Sequence, residues 1–410
     1  MDKICFIVGL YGSEVNGGAE KHCKMLAENV SKTFHVEVLT STTNNYITFA
    51  PYYSEGTEII NNVTVRRFKT DAYNSIKFSY LYNRSRIGRK IRRFIYKIGL
   101  LKACASLFPK WDISLKAETN MLKAHGLYSP DLIDYVFRNQ NEYRAIFMIS
   151  YPCPNFYFIN KLVPDKTILI PTAHKEGDFF RSYLTHIFTT VKHIAFNSVA
   201  ERELCYQIFG KQMATNSILA VGTELSEPKS KSYIQAKFDL PERYILYFGR
   251  IAEEKIGNLI RWFTEYKRDI SDDVKLVLTG GLFMEKSDHP DIFYTGFVSE
   301  PEKTALIQHA ELVINPSDRE SLSLLLLEAM QLGKPSLVNG KSEVLKQHCI
   351  DSDFASQYYL SKSDFLEKLE SALNSSPTEK YNTSNKAIKY VKENYSWDTI
   401  RERFKILTES

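Results

Sequence analysis

The chain has 410 residues, 44% hydrophobic and 25% charged, a globular profile long enough for about two or three domains. Disordered and fibrous classes are excluded by that balance, and every apolar run breaks before the ~18 residues a membrane span needs. The net charge of +5 is too mild to indicate a nucleic-acid partner, but it is uneven: residues 1–110 hold 17 Lys and Arg against 8 Asp and Glu.

The start, MDKICFIVGLYG, lacks the long apolar core and cleavage site of a secretory signal, so a chain made and kept in the cytosol is expected. Lys3 to Leu10 reads as a strand, followed by a glycine-bearing turn through Asn16-Gly17-Gly18 and a helix with Met25, Leu26 and Val30 on one side. A second strand at His35 to Leu39 completes a βαβ unit, which requires a parallel sheet with a right-handed crossover. Strands at Ala145 to Ile149 and Thr167 to Ile170 repeat the theme. Thr223 to Lys231 turns polar and loses periodicity, the best linker candidate. After it come strand Tyr244 to Phe248, helix Gly257 to Tyr266, strands Lys275 to Thr279 and Ile292 to Tyr294, and helix Glu302 to Ala310. Strand Leu312 to Asn315, helix Leu322 to Leu332 and strand Ser336 to Val338 follow. Two α/β units are expected, with ligand beyond the carboxyl ends of the strands, in a cleft between them.

Some chemistries are excluded on the residues. Gly340-Lys341-Ser342 follows a strand, but the first glycine of a phosphate-cradling loop would fall at Pro335, so no P-loop forms. The six cysteines are scattered without a C-x-x-C pair, giving neither a zinc knuckle nor a disulfide framework; reduced, structural thiols are expected.

The strongest chemical signal is NPSDRESLSLLLLEAM. Glu320 follows a strand end and a polar turn, and Glu328 lies eight residues on, inside a run of apolar helix residues. A buried glutamate in such a run is nearly always paired; an exposed glutamate on an amphipathic helix, or an internal salt bridge, is the plainer alternative. Ser321, Leu322 and Ser323 would put backbone N–H groups at the helix start, where the dipole favours phosphate. A second signal is YFGRIAEEK. Gly249 lets a ligand approach the backbone, while Arg250 and Lys255 could neutralise a diphosphate leaving group without a metal; two solvated surface charges are the alternative. Gly280-Gly281 closes the next strand, and both glycine turns and the Glu320 turn are expected to converge at one sheet edge.

With NGGAE, PTAHKE, FNSVAERELC, LVLTGG and FYTGFVSEPEK, these segments resemble a GT-B glycosyltransferase of family 4, the retaining, metal-independent nucleotide-sugar transferases, over nearly the whole length. The resemblance implies two Rossmann-like domains facing a cleft. Residues 1–223 form the acceptor side, 224–395 bind nucleotide sugar, and 396–410 form a helix that crosses back to the first domain or simply packs. It implies that Arg250 and Lys255 bind the donor diphosphate, Glu320 contacts the transferred sugar and Glu328 holds the ribose. Backbone at Phe297 and Val298 would border the base, and Gly17 and Gly18 would close over the phosphates. His174 falls where similar enzymes carry a histidine facing the reacting sugar, in a positional or polar role, although an isolated histidine is more often structural. No cofactor or metal is expected. The chain departs from the family pattern at Ile256, which precedes Gly257, and at Lys175, which replaces an acid between His174 and Glu176.

From Arg84 to Lys102 there are eight basic residues and no acidic one, with Ile87, Ile91, Phe94, Ile95, Ile98 and Leu101 at helical spacing. An anionic membrane surface is the expected partner, a stripe packed on its own domain the alternative; no base-stacking platform accompanies the charge, so nucleic acid is not expected. The expected activity is transfer of a hexose-type sugar to a glycan or lipid-linked acceptor, in an O-antigen- or capsule-like pathway at the inner face of the membrane. A nucleotide-sugar epimerase or hydrolase on the same fold, or a non-catalytic binding partner, are the alternatives.

Overall fold

Lys3–Ile7 forms strand β1 (KICFI), buried at four of its five positions as befits a parallel strand covered on both faces. In this computed structural model, which describes residues 1–12, 14–15, 17–270 and 273–409, helix Gly18–Val30 follows and buries Cys23, Leu26, Ala27 and Val30. Strand β2 (His35–Ser41) then pairs parallel to β1, closing the βαβ unit. Next come β3 (Gly56–Ile60) and β4 (Val63–Phe68), an antiparallel hairpin absent from the sequence reading. Its turn is Asn61-Asn62, both with positive φ, the geometry of a tight hairpin loop. Asparagine tolerates that conformation without the glycine that would have announced it.

Strands β5 (Ile146–Ile149), β6 (Thr167–Ile170), β7 (His193–Phe196) and β8 (Asn216–Ile218) extend the sheet in the order β3-β4-β2-β1-β5-β6-β7-β8. Residues 222–230 carry no regular structure, and Lys231 already opens helix Lys231–Phe238. A second sheet, entirely parallel, contains β9 (Tyr244–Phe248), β10 (Lys275–Thr279), β11 (Ile292–Gly296), β12 (Leu312–Asn315), β13 (Ser336–Asn339) and β14 (Gln357–Tyr359). Its order is β11-β10-β9-β12-β13-β14.

The chain divides into two compact units: Met1–Val221 with Arg401–Ser410, and Gly222–Ile400. Helix Trp397–Glu409 belongs to both. Phe404, in its second half, stacks on Phe147 at 4.8 Å and on Phe6 at 6.1 Å, in the core of the first unit. All six cysteines are free thiols and five are buried.

The basic segment is not one helix. It breaks at Ser85 and at Gly99 into helices Ser75–Arg84, Arg86–Lys97 and Leu101–Leu107. Its apolar stripe also divides. Leu101 is buried and Ile95 packs on the core, whereas Ile87, Ile91, Phe94 and Ile98 face solvent. One of its cations points inward: Arg92, 1% exposed, donates to the carbonyls of Phe180, Arg181 and Ile208 at 2.8–3.1 Å.

Candidate donor site on the second unit

Gly249 and Gly280 end adjacent strands β9 and β10 and touch one another. A Cβ on Gly280 would lie 2.0 Å from the Gly249 carbonyl oxygen, and its φ of +127° is open only to glycine. The Gly249 amide donates to the Thr279 carbonyl at 2.9 Å, fixing the two turns together. Arg250 follows, more than half exposed, with Nη2 2.9 Å from Glu254 Oε1. The next turn, helix Glu253–Ile256, carries Lys255. Ile256 is fully buried and anchors that turn, and Gly257 at φ +55° ends it. The departure at Ile256 therefore has a packing role.

Lys255 Nζ lies 2.9 Å from Glu320 Oε1, 3.3 Å from the Arg319 carbonyl and 3.4 Å from Ser317 Oγ. The cation and the acid expected on phosphate and sugar are thus in direct contact. The turn that bears Glu320 is held by Asn315, whose Oδ1 accepts from the Ser317 amide at 3.1 Å and whose Nδ2 donates to Ser323 Oγ at 2.9 Å. Asn339 Nδ2 adds a bond to the Pro316 carbonyl at 3.0 Å. The helix begins at Leu324 rather than Leu322 and runs to Gln331; Ser323 precedes it, and its Oγ accepts from the Leu326 amide at 3.3 Å. Ser321 and Leu322 belong to the turn, with the Leu322 side chain buried. The helix starts late because Ser323 adopts φ +73°, a left-handed conformation that no helix continues through.

Glu328 is buried, and the internal salt bridge is the arrangement found. Lys303 Nζ reaches its two carboxylate oxygens at 2.8 and 2.9 Å and Glu300 at 2.6 Å. Burial works against the Lys303 ammonium, but Glu328 and Glu300 more than offset it and raise its pKa. Beyond β11, Val298 is half-buried against the core and Phe297 is exposed. Phe297 and Phe283 flank Gly281, where a Cβ would meet their rings at 2.7 and 2.8 Å. Asn315, Asn339 and Lys303 were not singled out from sequence; an asparagine closing a strand before a proline turn was the available signal for Asn315.

The remaining expected residues lie on the first unit. His174 follows β6, with Nε2 3.3 Å from Glu176 Oε2, and Glu176 also accepts from the Tyr151 hydroxyl. The preceding amide, of Ala173, donates to the buried Glu201 carboxylate, as does the Asn197 amide at 2.6 Å. Burial pushes the Glu201 carboxyl up to about 8. Lys175 Nζ sits 4.7 Å from the Tyr96 ring centre, tying the histidine loop to the basic helix. Gly18 opens helix Gly18–Val30 and Gly17 precedes it; Asn16, the first residue of the expected turn, lies outside the described residues. The space over Gly17 is taken: a Cβ there would lie 1.7 Å from Glu20 Oε2, and Glu20 accepts from the Tyr46 hydroxyl. An anion at this helix end would meet that carboxylate.

Residues 242–370 match the family model described as Glycosyl transferases group 1. No curated protein matches the chain in sequence. In fold, the chain is similar to sucrose-phosphate synthase from Thermosynechococcus elongatus, at 15% identity and a TM-score of 0.68, covering 100% of this chain and 98% of that one. It is similar to HepE from Anabaena in complex with UDP and glucose, at 14% identity and 0.67, covering 100% of each. It also resembles the UDP-forming α,α-trehalose-phosphate synthase from Burkholderia xenovorans in complex with glucose-6-phosphate, at 10% identity and 0.69, covering 100% of each.

Proposed function

Proceeding from the GT-B fold of the whole chain and the glycosyl transferases group 1 region at residues 242–370, we propose that this protein is a retaining, metal-independent hexosyltransferase of family 4. Its donor is a nucleotide diphosphate sugar and its acceptor a hydroxyl of a glycan or lipid-linked glycan, in surface-polysaccharide synthesis of the O-antigen or capsule kind. The observation that carries this reading is the contact of Lys255 with Glu320 on the sheet edge that also bears Arg250 and Gly249. Crystallised HepE, of the same fold, is described with UDP-glucose, which supports a nucleotide-sugar donor.

Arg250 and Lys255 neutralise the diphosphate as charge accumulates on it, the part of the reaction where fixed cations stabilise most. Glu320 orients the sugar hydroxyls and Glu328 holds the ribose. The bond between the anomeric carbon and the phosphate oxygen breaks with its electrons on the phosphate. The acceptor oxygen bonds the same face, and its proton passes to the leaving phosphate, so no protein base is required. His174, braced by Glu176, has a polar, positioning role toward the reacting sugar.

The exposed part of the basic segment supports peripheral contact with an anionic bilayer at the cytosolic face. Ile87 and Phe94 are each 62% exposed, interleaved with Lys90, Arg93 and Lys97 on the solvent side of one helix, and Ile98, just past its end, is 51% exposed. Among the described residues no helix is long and apolar enough to cross a membrane. The test is a panel of nucleotide sugars assayed for binding and slow hydrolysis, with Glu320→Ala as control. A donor that is bound and consumed faster with a glycan acceptor supports transfer; consumption at an unchanged rate without acceptor indicates an epimerase or hydrolase.

A further inference from the structure

His348 lies in helix Glu343–Asp351, was not singled out from sequence, and is only 2% exposed. Its Nε2 is 2.7 Å from the Leu322 carbonyl oxygen and its Nδ1 2.9 Å from the Tyr390 hydroxyl. A carbonyl only accepts, so Nε2 carries the hydrogen, and a neutral ring then accepts the Tyr390 hydroxyl at Nδ1. Burial, which pushes the ring's pKa down to about 4, keeps it neutral. The ring also packs edge-on against Tyr390 and Tyr395, with centroids 6.0 and 5.6 Å away. Both tyrosines belong to the 19-residue helix Pro377–Tyr395, so His348 connects that long helix to a single carbonyl in the donor turn.

That carbonyl sits between the two positions that matter most in the turn. Glu320 is two residues before it, and Ser323, immediately after it, is held at φ +73°. A non-glycine residue keeps such a conformation only where its surroundings over-determine it. Asn315 fixes the Ser323 side chain from one direction, and His348 fixes the neighbouring peptide from another.

We propose that His348 is a positioning residue for the donor: by holding the Leu322 carbonyl it sets the Glu320–Ser323 turn in the shape that grips the nucleotide sugar. This rests on the donor site described above and deepens it. Transfer is measured for His348→Leu, His348→Gln and Tyr390→Phe, with cooperative thermal unfolding as the check on folding. His348→Leu removes the bond to Leu322; the expected result is a donor KM raised about tenfold or more, with the acceptor KM unchanged. His348→Gln, whose amide can again donate to the carbonyl, recovers most of that loss, and Tyr390→Phe gives an intermediate rise. A cooperatively folded His348→Leu with donor KM and kcat within about twofold of wild type overturns the proposal. Should that variant fail to fold, an unchanged donor KM in a cooperatively folded Tyr390→Phe, which loses the hydroxyl that orients the ring, overturns it instead. A wild-type protein that turns over no nucleotide sugar overturns the donor-site reading and this one with it, whereas wild-type turnover with unaffected variants overturns this inference alone.

Discussion

Lys255 and Glu320, 65 positions apart in sequence, form a 2.9 Å ion pair across the gap between the loops that follow β9 and β12. The lysine and the glutamate hold one another in place, at the positions where the proposed reading puts a diphosphate and a sugar. On the proposed reading, binding exchanges protein contacts already in place, for Lys255 those to Glu320, the Arg319 carbonyl and Ser317 Oγ, rather than full hydration shells.

Because the two groups share one site, their removal is non-additive. Lys255→Ala and Glu320→Ala are each expected to lower kcat/KM for the donor about ten- to a hundredfold, the worth of one charge-assisted hydrogen bond. The double variant should lose much less than the product of the two. Steady-state kinetics on the three proteins measures this, and strictly multiplicative losses would contradict a coupled pair.

The Lys303–Glu328 pair is a different case, since both groups are buried. Glu328→Leu leaves a buried ammonium facing Glu300, itself half-exposed, and should cost about 3 kcal/mol in urea unfolding. The paired change Lys303→Met with Glu328→Leu should recover most of that stability but not the ribose contact proposed for Glu328. Stability, read by urea unfolding, then returns in the double variant, and donor affinity, read by titration, does not.

Glu201 gives a pH signature. Its carboxyl titrates at about 8 in the fold, raised by burial from the 4.5 of a free glutamate, so between those values the folded state binds more protons than the unfolded. The slope of stability with pH is therefore negative: the contribution is fully present below about 4.5 and is lost as pH rises through about 8. Chemical denaturation of wild type and Glu201→Gln at intervals from pH 5 to 9 should show wild type losing stability relative to the variant over that window. A constant difference contradicts the assignment.

On the basic helix, position decides the outcome of removing a positive charge. Lys90, Arg93 and Lys97 lie toward solvent, and replacing all three with alanine should leave the melting temperature nearly unchanged. The same change should weaken flotation with anionic vesicles about a hundredfold, at about 1 kcal/mol per cation near the surface. Arg92→Ala instead leaves three buried carbonyls without their donor and should destabilise the first unit.

Much of the second unit was legible because its strands are continuous apolar runs bounded by glycine and charge. Tyr244–Phe248, Lys275–Thr279 and Leu312–Asn315 fall at the expected residues. The hairpin β3–β4 was not, since Gly56–Ile60 is exposed and Asn-Asn signals a turn weakly. Helix length at Leu324 was misjudged because apolar periodicity continues backward through Leu322, while the left-handed Ser323 that stops the helix is set by Asn315 far across the turn. The same limit explains Lys303 and His348. A residue's partner is fixed by topology, and neither stands in a sequence pattern that names Glu328 or Leu322.

In the proposed function Arg250 and Lys255 hold a nucleoside diphosphate. Calorimetric titration of UDP, GDP and ADP into wild type and into the Arg250→Ala, Lys255→Ala double variant reads that binding without any acceptor or turnover. The expected result is micromolar binding of one of the three to wild type and at least about a hundredfold weaker binding to the variant. Binding of none of them to a folded wild-type protein, or equal binding to both proteins, would contradict it.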